Sequence, residues 1–414
     1  MIKSIDKAKV KNLRVFVREG FDVPLKANIH TEQQEVADDE RIKAGLPTLL
    51  YLAKNGARII IGTHIDRPQG KWDEEHSVWP VAVKLGELMN RRIVRVTNVL
   101  PKHPAAQVFF LDQNITAHDF SDLSESLKPG DIMLLENLRF YPGEEKNDEK
   151  FTKTLASYAD IYVNDAFSVS HRDEASITGL PSLLPAYASA ALVDELKALD
   201  RVIKSPKQPL VVVMGGAKIS GKVETIRFLA EKAEKVLIGG ALANAFLKAR
   251  GYEVGKSQVS DVGVAKDLLR NFGTKIVLPK DMVVSRDLDS EHPRLVTVDK
   301  VRPEETIFDI GPQSVRMFAE YIKEAKTVVW NGPLGFIEKE KFAFGSKSIA
   351  RTIASVTKRK AYGVVGGGET IEALNMAKMA EFIDHVSMGG GAMLEYLSGK
   401  KLPGISALEN NIRH

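Results

Sequence analysis

The sequence has no cysteine among its 414 residues, which excludes disulfide bonds and thiolate metal sites and fits a reducing compartment. No apolar run approaches the ~18 residues of a membrane-spanning helix, and the lysine-containing residues 1–10 have no apolar signal segment. The net charge is only +4, and no basic block marks a surface for nucleic acid or membrane. We therefore expect a cytoplasmic, unsecreted protein that binds neither nucleic acid nor membrane.

The length exceeds what one hydrophobic core usually serves, so two or three domains are expected. Apolar residues make up 44% of the chain, enough for a substantial core. The sequence GxGxxG does not occur after any predicted strand, which argues against a dinucleotide-binding fold.

The most informative segment is residues 210–222, LVVVMGGAKISGK. Its apolar β-branched run predicts a strand buried on both faces of a parallel sheet. Gly215 and Gly216 then allow a sharp turn and a close approach of backbone N–H groups to a ligand. A helical pattern from Ile219 onward predicts a helix N-terminus aimed at an anion, with Lys218 and Lys222 on one face of its first turn.

This segment nearly matches the phosphate-loop pattern GxxxxGK[ST], but Val223 stands where a hydroxyl side chain usually binds magnesium. That departure disfavours a P-loop NTPase. Glycines after a strand can also serve helix–sheet packing alone, and for this segment in isolation that alternative stays open.

The same pattern of an apolar run ending at glycine recurs along the second half of the chain. The other instances are VLIGGALAN (236–244), VVWNGPLG (328–335), YGVVGGGET (362–370) and HVSMGGG (385–391). Ligands of open α/β sheets bind outside the carboxyl ends of the strands. Five such ends at one crevice predict a nucleotide-sized site.

The first half also alternates predicted strands with helices, and its strand ends carry cationic side chains. The strands are expected at 14–17, 58–62, 92–96, 132–135 and 160–163. The cationic residues that follow strands or open a helix are Arg18, Arg41, His64, Arg67, Arg139, His171 and Arg172. Convergent arginines offer bidentate bonds to carboxylate and phosphate, so the set predicts a site for a small, highly anionic substrate.

A helical segment, residues 186–203, lies between the halves and is bracketed by proline-containing stretches. We predict that it is a helical connector with a hinge at either end.

Seven motifs in order carry a resemblance to the phosphoglycerate kinase family over essentially the whole chain. They are HIDRP (64–68), LLENLRF (134–140), NDAFSVSHRDEAS (164–176), GGAKISGK (215–222), WNGPLGFIE (330–338), GGGET (366–370) and HVSMGGGA (385–392). The resemblance implies two Rossmann-like three-layer α/β/α domains with parallel sheets, joined by a helical hinge, with the C-terminal tail returning to the first domain. The implied domains are 1–184 with about 395–414 for phosphoglycerate and 205–394 for nucleotide, with 185–204 as the interdomain helix and hinge.

The resemblance also implies a glycolytic and gluconeogenic kinase, a phosphotransferase with a carboxyl group as acceptor. It would transfer a phosphoryl group in line between 1,3-bisphosphoglycerate and MgADP, giving 3-phosphoglycerate and MgATP as the domains close. Mg²⁺ and ATP or ADP would bind, and a monomer is expected. The attacking group is already anionic, so no general base is required.

The motif positions imply roles for individual residues. Substrate-binding residues would be Arg18, Asp22, His64, Arg67, Arg139 and Arg172, and the catalytic group would be Arg41, Lys218, Gly389, Gly390 and Gly391. Nucleotide-binding residues would be Gly215, Gly216, Ala217, Lys222, Gly239, Gly240, Asn331, Pro333, Glu338, Gly367, Gly368 and Thr370, with Glu369 as the magnesium ligand.

Departures from the family pattern fall mainly on the substrate side. Where the family has RVDFN, this chain has Arg18-Glu-Gly-Phe-Asp22, and Asp66 adds a further negative charge. A carboxylate at Asp22 beside an anion should repel it unless Asp22 is paired or turned away. Met388 replaces a threonine before the triple glycine, and Glu369 replaces an aspartate. Two alternatives stay open: a kinase of the same fold for another phosphorylated acid, and a nucleotide-binding pseudoenzyme.

Overall fold

The computed structural model describes residues 2–28 and 33–411. The chain divides into two compact units, Met1–Leu196 with Lys401–His414 (unit 1) and Lys197–Lys400 (unit 2). No helix within the described ranges is long and apolar enough to cross a membrane.

Unit 1 is built on a seven-stranded sheet in the order β5-β6-β7-β4-β1-β8-β9, whose pairings are all parallel. These strands are β1 (Arg14–Glu19), β4 (Arg58–Gly62), β5 (Ile93–Val96), β6 (Val108–Leu111), β7 (Ile132–Leu135), β8 (Ile161–Asp165) and β9 (Ala186–Ala188). An antiparallel pair, β2 (Leu25–Ala27) and β3 (Gln34–Val36), stands apart from the sheet.

The helices of unit 1 follow its strands or close the chain. They are α1 (Glu40–Lys54), α2 (Trp79–Leu88), α3 (Ser121–Glu125), α4 (Pro142–Glu145), α5 (Glu149–Ser157), α6 (Leu180–Leu183) and, at the C-terminus, α15 (Pro403–Asn410). Helix α7 (Ala190–Ile203) contains the boundary between the units.

The core of unit 1 explains why its strands are continuous apolar runs. Alternate residues such as Val15 and Val17 of β1 join α1 and α2 in one buried cluster. Phe16 and Ile60, between those positions on β1 and β4, are equally buried. Both faces of the sheet are therefore covered, as is usual for parallel sheets.

The C-terminal tail returns to unit 1, as the resemblance implies. The Asn411 side chain donates to the carbonyl of Pro181 at 2.6 Å and accepts from the Ala186 N–H at 2.7 Å. The Gly404 N–H donates to the Ser170 carbonyl at 2.9 Å. Residues 412–414 of the expected tail lie outside the described residues.

Unit 2 contains a six-stranded parallel sheet in the order β12-β11-β10-β16-β17-β18. Its strands are β10 (Leu210–Met214), β11 (Lys235–Ile238), β12 (Ile276–Val277), β16 (Thr327–Asn331), β17 (Tyr362–Gly366) and β18 (His385–Ser387). A separate antiparallel sheet joins β13 (Asp281–Ser285), β14 (Arg294–Thr297) and β15 (Thr306–Ile310).

The helices of unit 2 alternate with its strands along the chain. They are α8 (Val223–Lys232), α9 (Leu242–Ala249), α10 (Val262–Phe272), α11 (Pro312–Glu324), α12 (Phe344–Thr357), α13 (Gly368–Met376) and α14 (Gly391–Leu397). The predicted class, two parallel-sheet α/β domains, is confirmed.

Several local predictions need correction. Helix α8 begins at Val223, not Ile219, because residues 219–222 form a turn closed by the Lys222 N–H donating to the Ile219 carbonyl at 2.8 Å. Lys218 and Lys222 therefore precede the helix. The predicted connector helix begins at Ala190, since residues 186–188 pair with β8 as a strand.

Candidate active site

The cationic residues of unit 1 lie at the ends of four adjacent strands, β7, β4, β1 and β8. Arg139 follows β7 in a short 3-10 turn, His64 follows β4, Arg18 lies near the end of β1, and Arg172 follows β8. Because parallel strands end at the same edge of a sheet, the fold gathers these four side chains.

Arg18 is completely buried and its donors are engaged within the protein. Nε donates to the Ser176 hydroxyl at 2.7 Å, and Nη1 donates to the Glu19 carbonyl at 2.5 Å. Nη2 lies 3.1 Å from Nδ1 of His64, which must accept because a guanidinium only donates. Arg18 therefore supports His64 from inside the unit.

His64 is a neutral hydrogen-bond donor in this environment. Burial, and then the charge of Arg18, lower its pKa well below the ordinary value. With Nδ1 accepting from Arg18, the ring proton is on Nε2, which lies 3.6 Å from an Asp22 carboxylate oxygen. His64 can thus offer an N–H to an anion without carrying a charge itself.

Asp22, the departure that predicted repulsion, is paired. Its Oδ1 accepts from the Asp66 N–H at 3.0 Å, and its Oδ2 is 3.8 Å from Nη1 of Arg41. Arg41, in the first turn of α1, also donates to the Asp22 carbonyl at 2.8 Å. The carboxylate thereby ties the turn after β1 to the turn after β4.

The arginines separate into an inner and an outer group. Arg139 is buried and donates from Nη1 to the Asp66 carbonyl at 2.9 Å and from Nη2 to Glu174 Oε1 at 2.9 Å. Arg67 is exposed, and Arg172 is partly exposed. Arg41 is also partly exposed, so the outer group is Arg41, Arg67 and Arg172.

Sequence reasoning missed the buried acids beneath this cluster. Glu144 accepts from the Ser176 N–H at 3.0 Å and from the Ser176 hydroxyl, and burial raises its pKa to about 7. Glu174 contacts the guanidinium groups directly. The sequence signal was present, because Glu174 lies inside the motif NDAFSVSHRDEAS two residues after Arg172.

The five glycine-rich segments of unit 2 follow five consecutive strands of one sheet, β11, β10, β16, β17 and β18. The structure thus brings together the five strand ends that the sequence singled out.

The glycines after β10 and β11 do not offer free amides, contrary to expectation. The N–H groups of Gly215, Gly216 and Gly240 donate to the carbonyls of Asn331, Pro333 and Leu334, respectively, at 2.9, 2.8 and 3.1 Å, and Gly239 donates to Met214. These glycines let the backbone after β10 pack directly against the backbone after β16, since a Cβ on Gly215 would lie 2.1 Å from the Pro333 oxygen.

The two lysines have different surroundings. Lys222 is partly buried, and its Nζ donates to the Gly215 carbonyl at 2.5 Å. Burial lowers its pKa to about 8, an effect that the nearby Glu369 carboxylate opposes. Lys218 and its neighbour Ala217 are exposed, so Lys218 is positioned to reach outward.

The polar residues after β16 and β17 hold the strand ends together. The Asn331 amide donates to the Gly366 carbonyl at 2.7 Å, and the Thr370 hydroxyl accepts from the Gly332 N–H at 2.7 Å. Pro333 is buried and contributes its carbonyl. Glu338 is exposed beyond this group.

The start of α13 offers amide donors of the kind that the glycines after β10 and β11 do not. Gly367 has a φ of 102° at the cap, and Gly368 and Glu369 are exposed in the first turn. First-turn N–H groups have no acceptors within their helix. Gly389 and Gly390 follow β18, the strand that neighbours β17, and Gly391 begins α14.

The comparisons with known proteins agree over the length of the chain. The sequence model of the family Phosphoglycerate kinase matches residues 5–400. Phosphoglycerate kinase of Moorella thermoacetica is 42% identical over 407 residues, covering 97% of each chain. That of Desulfosudis oleivorans is 39% identical over 417 residues, covering 99% of each.

Solved structures show the same likeness. Phosphoglycerate kinase from Coxiella burnetii superposes with a TM-score of 0.82 at 33% identity and 99% coverage of both chains. The enzyme from Pyrococcus horikoshii OT3 has a TM-score of 0.82 at 28% identity and complete coverage. With its gathered cationic residues and its glycine-lined strand ends, the chain belongs to the phosphoglycerate kinase family.

Proposed function

We propose that this protein transfers a phosphoryl group between 1,3-bisphosphoglycerate and MgADP, giving 3-phosphoglycerate and MgATP. The observation that carries the proposal is the family match over residues 5–400, within which both sets of anion-binding residues are present. Its role is that of a glycolytic kinase.

Unit 1 takes the phosphoglycerate in this proposal. Arg41, Arg67 and Arg172 contact the substrate's anionic groups, and His64 donates through Nε2. Arg18 and Arg139 act from the inner layer, where their protein contacts hold the surrounding groups. Planar guanidinium groups bind phosphate and carboxylate bidentately, which orients the substrate as well as attracting it.

Unit 2 takes the nucleotide. Lys222 and the first turn of α13 bind phosphates, and Gly389–Gly391 contribute to the same cradle. Gly215, Gly216, Gly239 and Gly240 shape its wall through backbone contacts. Asn331, Pro333 and Glu338 lie toward the adenosine, where Glu338 suits the ribose hydroxyls.

A magnesium ion fits the residues present only as part of a metal–nucleotide complex. Within residues 2–28 and 33–411 no three acidic or histidine side chains group as a metal cage. Glu369 supplies one exposed carboxylate, and magnesium commonly takes one or two carboxylates with phosphates and waters. When bound, the ion would neutralise charge on the phosphates.

Arg41 and Lys218 carry the chemical step by stabilising charge on the transferring group. Phosphoryl transfer depends on alignment and on preorganised cations more than on covalent help. Each substrate belongs to a different unit, so turnover requires the two half-sites to meet and to exclude water from the acyl phosphate. We propose a monomer that needs neither nucleic acid nor membrane.

The test is ADP formation from 3-phosphoglycerate and MgATP by the purified full chain, with hydroxylamine to trap the acyl phosphate. Saturable activity that depends on 3-phosphoglycerate is expected, and a mixture without it measures background ATP hydrolysis. Intact ATP binding without turnover would reject the proposal. If only another phosphorylated acid supported turnover, that acid would replace 3-phosphoglycerate as the proposed substrate.

A further inference from the structure

One buried carboxylate lies among three of the arginines and has no role in the proposed chemistry. Glu174 is 2% exposed. Its Oε1 is 2.9 Å from Arg139 Nη2 and 3.9 Å from Arg172 Nε, and its Oε2 is 4.0 Å from Arg18 Nη2. The three arginines come from the ends of β7, β8 and β1, so Glu174 joins three strand ends, through a hydrogen bond to Arg139 and through charge to Arg172 and Arg18.

The cluster needs such a counter-charge. Arg139 and Arg172 both lie within 4 Å of the same carboxylate, and like charges gathered this closely repel one another. Burial, and then the charge of Arg139, accordingly lower the pKa of Arg172. A buried charge without a partner is costly, and removing one partner of a buried pair leaves the other uncompensated. Glu174 therefore holds together side chains that would otherwise move apart.

The contacts also determine which donors face outward. Arg139 is held at both terminal nitrogens, by the Asp66 carbonyl and by Glu174, so the plane of its guanidinium is fixed. Arg172 approaches Glu174 through Nε. The edge formed by its two terminal nitrogens is not used by this contact, and that edge suits a bidentate bond to phosphate or carboxylate.

We propose that Glu174 is a positioning residue of the phosphoglycerate site, which fixes Arg139 and presents the terminal nitrogens of Arg172 to the substrate. It acts through the arginines and does not touch the substrate. This inference rests on the proposed function, because it assigns Glu174 to that substrate's half-site.

The test is steady-state kinetics of Glu174→Gln, a near-isosteric change that removes the charge. The two longer ionic contacts are lost and the bond to Arg139 is weakened, so we expect the KM for 3-phosphoglycerate to rise about tenfold. The KM for ATP and kcat should each change less than about twofold. A substitution that merely destabilised the protein would not separate the two KM values in this way.

Asp173→Asn is the matched control, because it removes the same charge at the neighbouring position. The Asp173 side chain is exposed and contacts Asn147, not an arginine. It should leave both KM values unchanged. Direct titration of 3-phosphoglycerate into nucleotide-free protein provides a second measurement. An unchanged KM for 3-phosphoglycerate in Glu174→Gln, or an equal rise in the KM for ATP, would overturn the inference while an active wild type leaves the proposed function standing.

Discussion

The candidate anion sites of the two units are built by opposite means. In unit 1 the donors are side chains, and buried acids such as Glu174 and Glu144 hold them or the residues behind them. In unit 2 the site is shaped by backbone, because residues without a Cβ let the segments after β10 and β16 touch. The candidate site of unit 1 thus depends on counter-charges, and the wall of the candidate site in unit 2 depends on the absence of Cβ atoms.

Because the two candidate sites are built differently, we expect substitutions to affect them differently. Long cationic side chains share counter-charges in unit 1, since Glu174 contacts three arginines and Asp22 lies beside both Arg41 and His64, but each side chain can be truncated without moving the backbone. In unit 2, one added methyl group would push apart the segments after β10 and β16, so a single substitution should disturb the whole wall. Four predictions probe this contrast, from the largest expected effect to the smallest.

Arg41→Ala and Lys218→Ala should each lower kcat by roughly 10³-fold or more, because each removes a cation from the transferring phosphoryl group. ATP affinity should change far less in both variants. Steady-state kinetics and ATP titration measure the two effects. Lys43→Ala, an exposed lysine on α1, is the control. Near-normal turnover in either variant would reject its assigned role.

Gly215→Ala should disable the nucleotide half-site. The new Cβ would lie 2.1 Å from the Pro333 oxygen and 2.7 Å from the Gly332 oxygen, both of them backbone atoms. Overpacking of this kind costs about 1–3 kcal/mol of stability, and the KM for ATP should rise as the wall shifts. Gly221→Ala, whose Cβ would meet nothing within 4 Å, is the matched control for thermal unfolding and kinetics. Equal behaviour of the two variants would contradict the backbone-wall account.

ATP binding should weaken as pH rises through 8. Burial lowers the pKa of Lys222 to about 8, so the side chain is charged below that pH and loses its proton above it. Between pH 7 and 9 the dissociation constant for ATP should rise about tenfold, as expected for one essential proton. Calorimetric titration measures it, and Lys222→Met should bind weakly at both pH values. If Lys222→Met keeps the full pH dependence, another group is responsible.

Asp22→Asn should lower the KM for 3-phosphoglycerate by about threefold, the size expected for a partly exposed charge. The amide retains an oxygen for the Asp66 N–H but removes the negative charge beside Arg41 and His64. Kinetics at low and high salt provide the measurement, with Asp122→Asn as an exposed control. A higher KM would mean that the carboxylate serves binding through its pairing.

The sequence predicted β4 and β7 to the residue, because each is a short apolar run that leads into a cationic motif residue, His64 or Arg139. It missed β6, VFFL at Val108–Leu111, and the antiparallel sheet of β13, β14 and β15. Short apolar runs do not distinguish strand from helix by periodicity, and their pairing partners lie far away along the chain.

Among the candidate site residues, the positions at strand ends were predictable and their bonding was not. The pattern of a strand followed by glycine or by a cationic residue placed His64, Arg172 and Gly215 just beyond the carboxyl ends of their strands. It did not reveal that Arg18 is buried behind His64, or that the Gly215 N–H is bonded to Asn331.

The sequence by itself determined the family, through its seven motifs, and the two parallel sheets, through the alternation of strands and helices. It also predicted the sheet edge at which each set of candidate residues lies, because the carboxyl ends of parallel strands share one edge. Tertiary structure decided which donors remain for a ligand. A buried polar group must find a partner, and the partners of Arg139, Gly216 and Glu174 come from distant segments that only the folded chain brings within bonding distance.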